Sequence, residues 1–202
     1  RPSLYMTSIP NLMGKNGVQR TLTGGKHTKA AVTINKNLID FYNDYPRNVQ
    51  WGLYSAASLS SKAKSGLYPM LWQMIEGKNE VEAANILLHF VQTAFEYQTD
   101  DVQFGVERPL FADEMLYYPY CDCEDRSIFY SILVRDLLGL DVVLLNYPGH
   151  LATAVRFADE TKGDHIILSD KKYIICDPTY IGADVGEAMP SCLNETAIVV
   201  KI

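Results

Sequence analysis

The chain has 202 residues, 48% of them hydrophobic, and its formal net charge is −6 at pH 7. This is enough apolar material for one sizeable core or two small lobes. The acidic balance argues against nucleic acid or an anionic membrane as a partner. No apolar run reaches the roughly 18 residues that a membrane span requires. We therefore expect no membrane span in this chain, and the composition leaves its oligomeric state unknown.

The first residue and the cysteines bear on the compartment in which the protein works. Arg1 stands first without a Met or a signal-peptide pattern, so we interpret the chain as processed or as a fragment of a longer protein. The 13 tyrosines favour a periplasmic or extracellular protein over a cytosolic one. A disulfide from Cys121 or Cys176 to Cys192 is one interpretation, and buried free thiols are the other.

Residues 1–79 predict an N-terminal region of mixed α/β structure. Residues 1–26 contain many glycines and polar residues and predict irregular structure, whereas the alternation over 31–35 predicts a short strand. Helical spacing over 38–45 stops at a proline. Residues 49–54 predict another strand. We expect this region to pack on the domain that follows it.

Two helices and a long loop come next. The helix over 60–76 contains Pro69, which either kinks it or marks its true start. The helix over 79–95 begins at Asn79 with a capping-box pattern, and its wide apolar surface predicts a central place in the core. Residues 98–120 predict a polar and aromatic loop that is long for a compact domain, and such loops are often functional.

Residues 80–202 are the predicted core domain. Helical spacing over 124–138 ends at Gly139, which suits a C-cap. Strand patterns separated by short turns then follow at 141–147, 151–157, 165–169 and 173–176. The order of elements predicts an α+β fold in which a helix packs on an antiparallel meander.

The tetrad Asp122-Cys123-Glu124-Asp125 opens the helix of the core domain. Cys123 therefore lies in the first helical turn, where the helix dipole and unpaired backbone N–H groups stabilise a thiolate. The same N–H groups can bind an oxyanion. The position predicts that Cys123 is a nucleophile.

Strand parity predicts that a histidine and an aspartate meet near this cysteine. His150 shares its face with Ala152 and Ala154, whose small side chains would allow the helix to approach closely. Asp177 belongs to the corresponding face of the last strand, whereas Cys176 points the opposite way. We expect the face that carries His150 and Asp177 to be the one that meets the helix.

Together these motifs resemble the transglutaminase-like superfamily, a branch of the papain-like cysteine enzymes. The resemblance covers roughly residues 80–180 and is carried by Asp122–Asp125, Leu137–Asp141, Gly149-His150 and Asp177-Pro178-Thr179. It implies a papain-like α+β core in which Cys123 is the nucleophile, His150 the general base and Asp177 its orienter. The chain departs from the family pattern at Leu151, where many members have an aromatic residue, so substrate handling is expected to differ.

The activity that the resemblance implies is thiol-dependent hydrolysis of an amide in a protein or peptide, through a thioester. A crosslinking or deamidating acyltransferase shares the first half-reaction and stays an alternative. A binding module that keeps the fold without catalysis is the alternative from another class. Gln103, in the loop before the cysteine, is a candidate oxyanion donor because a side-chain amide can fill that role.

The carboxylates around the cysteine have two interpretations. Asp122, Glu124 and Asp125 can complement the helix dipole. They can also bind Ca²⁺ through their oxygens, as in some bacterial calcium-dependent proteases that look similar at this tetrad. Carboxylates this close raise a thiol's pKa, so a bound cation would favour the thiolate of Cys123. The triad itself requires no cofactor, and calcium is the one cofactor that the sequence suggests.

Overall fold

The computed structural model describes residues 17–24, 28–47 and 50–202. The fold is α+β, as predicted. The helices are α1 (Lys36–Asn43), α2 (Trp51–Ala56), α3 (Ser61–Ile75), α4 (Glu80–Ala94), α5 (Asp100–Gln103), α6 (Ala112–Tyr117) and α7 (Cys123–Leu138). The strands are β1 (Gly17–Gly24), β2 (Thr28–Asn35), β3 (Glu96–Tyr97), β4 (Tyr120–Cys121), β5 (Asp141–Tyr147), β6 (His150–Arg156), β7 (His165–Leu168), β8 (Lys171–Cys176) and β9 (Ile198–Lys201).

An antiparallel sheet with strand order β7-β8-β6-β5-β9 forms the centre of the core domain. β5 and β6 make a hairpin whose turn contains Gly149, and its φ of +70° explains the glycine there. The edge strand β9 pairs with β5, and the sequence pattern had not indicated this strand. The hairpin turn brings the start of β6, and with it His150, to one end of the sheet.

Helix α7 packs across one face of the sheet, but this is not the face that strand parity had predicted. The helix shares its core with Leu144, Leu151, Val155, Ile174 and Cys176. The opposite face, which includes the two alanines of β6, is covered by a second apolar cluster with Ala188 and Cys192 from the C-terminal loops. The prediction was wrong because alternation separates the two faces of a strand without saying which one a helix will cover. The sequence-predicted packing role of Cys176 is confirmed, on the helix side.

Local capping signals are confirmed in the two long helices of the core. Asn79 Oδ1 accepts from the Glu82 N–H at 2.9 Å, which closes the predicted box at the start of α4. Gly139 ends α7 with a φ of +66°, a left-handed C-cap that glycine adopts without strain. Both signals act on backbone groups within one turn, so they do not depend on tertiary contacts.

The N-terminal region forms the hairpin β1–β2, with α3 lying across β2. Gly66 makes this close approach possible, because a Cβ there would lie 2.7 Å from the Ala31 carbonyl oxygen. Buried side chains of β2 and α3 belong to the same apolar cluster as those of α4 and α7. The division into residues 1–79 and 80–202 stays a prediction.

Three of the predicted elements differ from the structure. Residues 49–54 were predicted as strand, but Trp51–Ala56 is helix α2, whose buried face contacts α7. Residues 1–26 were predicted as irregular, but Gly17–Gly24 is strand β1; residues 1–16 and 25–26 lie outside the described residues. The loop predicted over 98–120 contains α5 and α6. Tertiary contacts decide such short elements, because their own hydrogen bonds are few.

Across the described ranges, no helix is both long enough and apolar enough to cross a membrane.

Candidate active site

Cys123 is the first residue of α7, and its side chain lines a cleft of about 310 Å³. The thiol donates a hydrogen bond to Glu124 Oε2 over 3.2 Å. Asp122 is the N-cap residue, and its N–H donates to Asp125 Oδ2 over 3.3 Å. The first turn of a helix leaves backbone N–H groups without helical partners. These groups can stabilise negative charge that develops beside the sulfur.

His150 and Asp177 form a hydrogen-bonded pair, with His150 Nε2 2.8 Å from Asp177 Oδ2. His150 is the first residue of β6, and Asp177 directly follows the last residue of β8. Cys176 is opposite Thr153 in the ladder, so Asp177 continues β8 alongside the strand that carries His150. An ionised carboxylate only accepts hydrogen bonds, so Nε2 carries the hydrogen. Nδ1 is then the ring nitrogen that can accept a proton.

The cleft brings the predicted nucleophile and base together. Cys123 and His150 both line it, whereas Asp177 is 1% exposed and supports His150 from the interior. The predicted oxyanion donor Gln103 ends α5, and its Oε1 is buried without a hydrogen-bond partner. From the same helix, Asp100 and Asp101 form part of the cleft wall. The role of Gln103 stays a prediction.

The other three cysteines do not share the position of Cys123. Cys121, Cys176 and Cys192 are buried free thiols, in agreement with the simpler of the two interpretations of the sequence. Cys123 is half-buried and lies in the cleft. It is therefore the cysteine that a reagent in solution reaches most readily.

Five carboxyl groups gather at the N-terminal end of α7. Oxygens of Asp100, Asp122 and Asp125 lie within 4.8 Å of one another, and so do oxygens of Asp100, Glu107 and Glu124. The sequence had predicted the three carboxylates of the tetrad as a group. It had not indicated that the preceding loop adds Asp100 and Glu107.

Burial and mutual repulsion make these acids hard to ionise. Burial, and then the neighbouring Asp122, raises the pKa of Asp100 to about 7. The same two causes raise the pKa of Asp125 well above its ordinary value, and burial with the nearby Glu107 and Asp122 raises that of Glu124. Asp100, Glu124 and Asp125 therefore tend to hold their protons unless a positive charge compensates them.

The same surroundings act on the nucleophile. Burial, and then the Glu124 carboxylate, raises the pKa of the Cys123 thiol, while a hydrogen bond from the Leu151 N–H lowers it in part. The positive charge of Arg126 does not compensate for these acids. Its side chain turns to the core and donates to the Phe95 carbonyl over 2.8 Å. Burial, with the carboxyl group of Glu124 beside it, thus favours the neutral form of the thiol.

The donor set fits a hard cation. Asp122 Oδ1 and Glu124 Oε1 are buried and have no hydrogen-bond partner, which is costly for oxygen acceptors unless an ion or water contacts them. Carboxylate oxygens are the ligands that Ca²⁺ prefers. Asp100 and Asp125 form with Asp122 one group of oxygens that could hold such an ion, and Glu124 forms a neighbouring group with Asp100 and Glu107.

The comparisons with known proteins are distant. No protein-family model matches the chain, and no curated protein matches it in sequence. Among solved structures, Legionella pneumophila LapG is similar at 14% identity with a TM-score of 0.43, over 75% of this chain and 84% of that one. The chemistry of the site therefore has to be inferred from its own residues.

Two further residues of the site belong to no sequence motif. Trp51 comes from the N-terminal region and lines the cleft, and its Nε1–H is buried without a hydrogen-bond acceptor. Gln92 lies on α4 and is hydrogen-bonded to the backbone that carries Asp177. A lone Trp and a lone Gln are ordinary core residues in sequence terms, so only the fold reveals their place.

Proposed function

We propose that the chain is a thiol-dependent amide hydrolase of the transglutaminase-like kind, acting on a protein or peptide through Cys123, His150 and Asp177. The observation that carries this proposal is the 2.8 Å pair of His150 and Asp177 at the cleft that holds Cys123. A histidine oriented by a buried carboxylate beside a cysteine at a helix start is the arrangement that thiol nucleophiles use.

In the proposed reaction, Cys123 Sγ attacks the amide carbonyl carbon as its proton passes to His150 Nδ1. Asp177 keeps the hydrogen on Nε2 and stabilises the imidazolium that forms. The tetrahedral oxyanion then collapses to a thioester, and His150 gives the proton to the departing amine. Water attacks the thioester in the second half, with His150 again accepting a proton, and this releases the acid and the free thiol.

The oxyanion needs donors that point into the cleft. Backbone N–H groups of the first turn of α7 can supply one. The Trp51 Nε1–H, buried at the cleft wall and without an acceptor, can supply a second. Gln103 remains the side-chain amide proposed from the sequence. Replacing Trp51 by Phe and Gln103 by Leu in separate variants would show which of the two side chains matters for turnover.

We also propose that a divalent cation, with Ca²⁺ preferred, is held by Asp122, Glu124 and Asp125 with help from Asp100. When bound, the ion would supply positive charge that keeps these carboxylates ionised. Glu124 would then be drawn toward the ion, and the thiol of Cys123 would lose an acceptor that favours its neutral form. Proteins that work outside the cytosol meet Ca²⁺ at concentrations that weak sites can use, in keeping with the periplasmic or extracellular location inferred from composition.

Alkylation of Cys123 tests the proposal directly. Iodoacetamide labelling would be followed by mass spectrometry in Ca²⁺ and in EDTA, on the native protein and on His150→Ala. We expect native Cys123 in Ca²⁺ to react faster near neutral pH than a thiol of the denatured chain, and His150→Ala to remove that advantage. Cys123→Ala is the control, since the other three cysteines are buried.

Equal reactivity of native and denatured Cys123, with and without Ca²⁺, would contradict the enzyme proposal. A non-catalytic binding module would then be the remaining interpretation. Where reactivity is high, peptide substrates separate the enzymatic alternatives. A new peptide amino group indicates hydrolysis, whereas release of ammonia indicates deamidation or crosslinking. Loss of a general base is expected to reduce turnover by about 10²–10⁴-fold in His150→Ala.

A further inference from the structure

Helix α4 presents three polar side chains to the loop that follows β8. Asn85, His89 and Gln92 stand four and three residues apart, so they share one face of the helix. Asn85 and His89 bond to Asp184, and Asn85 also accepts from the Val185 N–H. These three bonds hold the part of the loop farther from β8, and the two to Asp184 are exposed to solvent. Gln92 lies two turns from Asn85, is 3% exposed, and contacts the part of the loop nearer to β8.

The Gln92 amide is surrounded by backbone groups of this loop. Its Nε2 lies within hydrogen-bond distance of the carbonyl oxygens of Asp177 at 3.1 Å, Tyr180 at 2.9 Å and Ala183 at 3.0 Å, so its two hydrogens are shared among three acceptors. Its Oε1 accepts from the Gly182 N–H at 3.1 Å. Three carbonyls on the nitrogen side and one N–H on the oxygen side leave a single orientation of the amide that satisfies them. One side chain thus ties four peptide groups of the loop to α4.

The first of those peptide groups belongs to the triad aspartate itself. Asp177 Oδ1 accepts from the N–H groups of Thr179 at 2.9 Å and Tyr180 at 3.2 Å, while Oδ2 bonds to His150. The direction of the carboxylate therefore depends on the path of residues 177–180. That path is held to α4 through Gln92. β8 ends at Cys176, so strand pairing no longer holds the backbone at this point.

We propose that Gln92 is a positioning residue, which sets the rotation of the Asp177 carboxylate and through it the tautomer of His150. The catalytic meaning of this inference rests on the proposed function, whereas the structural coupling from Gln92 to His150 does not. With Gln92 in place, Asp177 accepts from Nε2–H and leaves Nδ1 as the nitrogen that can accept a proton. Without it, three carbonyls lose a donor, the loop shifts, and His150 is no longer restricted to that tautomer.

The test is the side-chain ¹⁵N NMR spectrum of His150 in four proteins at about pH 8.5, where a free imidazole is neutral. These are the native protein, Gln92→Met, Asp177→Asn and Asn85→Ala. Met is close to Gln in length but donates nothing, so it removes the bonds with little change in packing. Asn85→Ala is the matched control, because it frees the same loop at the end that does not carry Asp177. Asp122, Glu124, Cys123 and Tyr147 also face the cleft, and they are unchanged in all four.

We expect the native protein and Asn85→Ala to show one Nε2–H tautomer with a slowly exchanging proton. Gln92→Met should show a tautomer mixture and fast exchange, as in Asp177→Asn. Where turnover is measurable, kcat of Gln92→Met should fall by about 10²-fold with KM nearly unchanged, the scale for a misplaced catalytic group. A purely structural role would lower the melting temperature of Gln92→Met and leave the tautomer intact.

A folded Gln92→Met protein with the native His150 spectrum overturns the proposal, and so does Asn85→Ala with the same change as Gln92→Met. If Gln92→Met does not fold, Gln92→Asn takes its place, since it keeps a buried amide but withdraws it from the loop. Native His150 tautomer in a folded Gln92→Asn overturns the proposal equally. Failure of the proposed function has a separate signature, a native Cys123 without enhanced reactivity, and it leaves the NMR comparison valid.

Discussion

At the scale of single residues, the chemistry of this protein depends on Glu124. Its carboxyl group accepts from the Cys123 thiol, lowers the chance that the thiolate forms, and offers a buried unpartnered oxygen to a cation. The same side chain therefore opposes the nucleophile when no ion is bound and would recruit the ion that activates it. His150 and Asp177 supply the base, but the charge beside the sulfur sets how readily the proton leaves.

Glu124→Gln separates these two effects. Glu124 holds its proton near neutral pH but ionises before the thiol as pH rises, and its charge then raises the pKa of Cys123. Gln cannot ionise, so in EDTA the alkylation profile of the variant should lie at lower pH than that of the native protein. In Ca²⁺ the order should reverse, because the variant has lost a ligand and responds less to the ion. The measurement is the pH profile of iodoacetamide labelling in both conditions.

Asp101→Asn is the control for Glu124→Gln, because Asp101 lines the same cleft but is exposed. It should shift the profile little in either condition, since solvent screens its charge. A Glu124→Gln profile in EDTA at the same or a higher pH than the native one would show that Glu124 does not hold the thiol neutral.

At the scale of elements, the joint between α3 and β2 shows why a helix can carry a glycine. Gly66 lies in mid-helix, where Ala is favoured by about 1 kcal/mol on intrinsic propensity. A Cβ at this position would meet the Ala31 carbonyl oxygen at 2.7 Å and Val32 Cα at 3.1 Å. The contact with backbone atoms cannot be relieved by a side-chain rotation, so the helix would have to move away from the strand.

Gly66→Ala should therefore destabilise the protein by about 1–3 kcal/mol, since overpacking outweighs the propensity gain. Ser65→Ala, at the neighbouring exposed position of α3, is the control and should change stability by about 0.5 kcal/mol or less. Urea unfolding followed by circular dichroism measures both. A more stable Gly66→Ala would mean that α3 does not lie this close to β2.

At the scale of the whole molecule, the buried acids make stability depend on pH. Folding raises the pKa of Asp100 from 3.8 to about 7. Between these values the folded chain keeps a proton that the unfolded chain releases. Unfolding is therefore favoured as pH rises through this window, which is opposite to the behaviour of a carboxylate stabilised by an ion pair. Asp122, Glu124 and Asp125 have raised pKa values and contribute with the same sign.

In EDTA, the native protein should lose stability from about pH 4 to about pH 7, and Asp100→Asn should lose less of it. In the native protein, Asp100 accepts a hydrogen bond from the backbone N–H of Arg108. The side-chain oxygen of Asn can accept the same bond, so the variant removes the ionisable group and keeps the acceptor. Ca²⁺ should restore the stability of the native protein near neutral pH by binding the folded state. Melting temperatures across pH, with and without Ca²⁺, measure these effects.

Asp101→Asn serves as the control here as well, because an exposed carboxylate should not change the slope. A native melting temperature that rises from pH 4 to pH 7 in EDTA, in parallel with that of Asp100→Asn, would contradict a raised pKa at Asp100.

Local patterns by themselves determined much of the helical structure and of the central meander. Asn79 with Glu82 marked the start of α4, and Gly139 marked the end of α7, because a cap acts on backbone groups within one turn. Strand-type runs separated by short turns located β5, β6, β7 and β8. The tetrad at Cys123 and the order of His150 and Asp177 likewise pointed to residues that lie at the ends of elements, and the fold places the histidine and the aspartate in contact.

Only the tertiary structure decided the contacts between distant parts of the chain. Which face of the sheet α7 covers depends on the loops that bury the other face, so parity alone pointed to the wrong side. Asp100 joins the acidic cluster through a loop, and Trp51 reaches the cleft from the N-terminal region. Gln92 holds a loop 85 residues further along the chain. No spacing rule predicts such partners, because each contact is set by the packing of the whole fold.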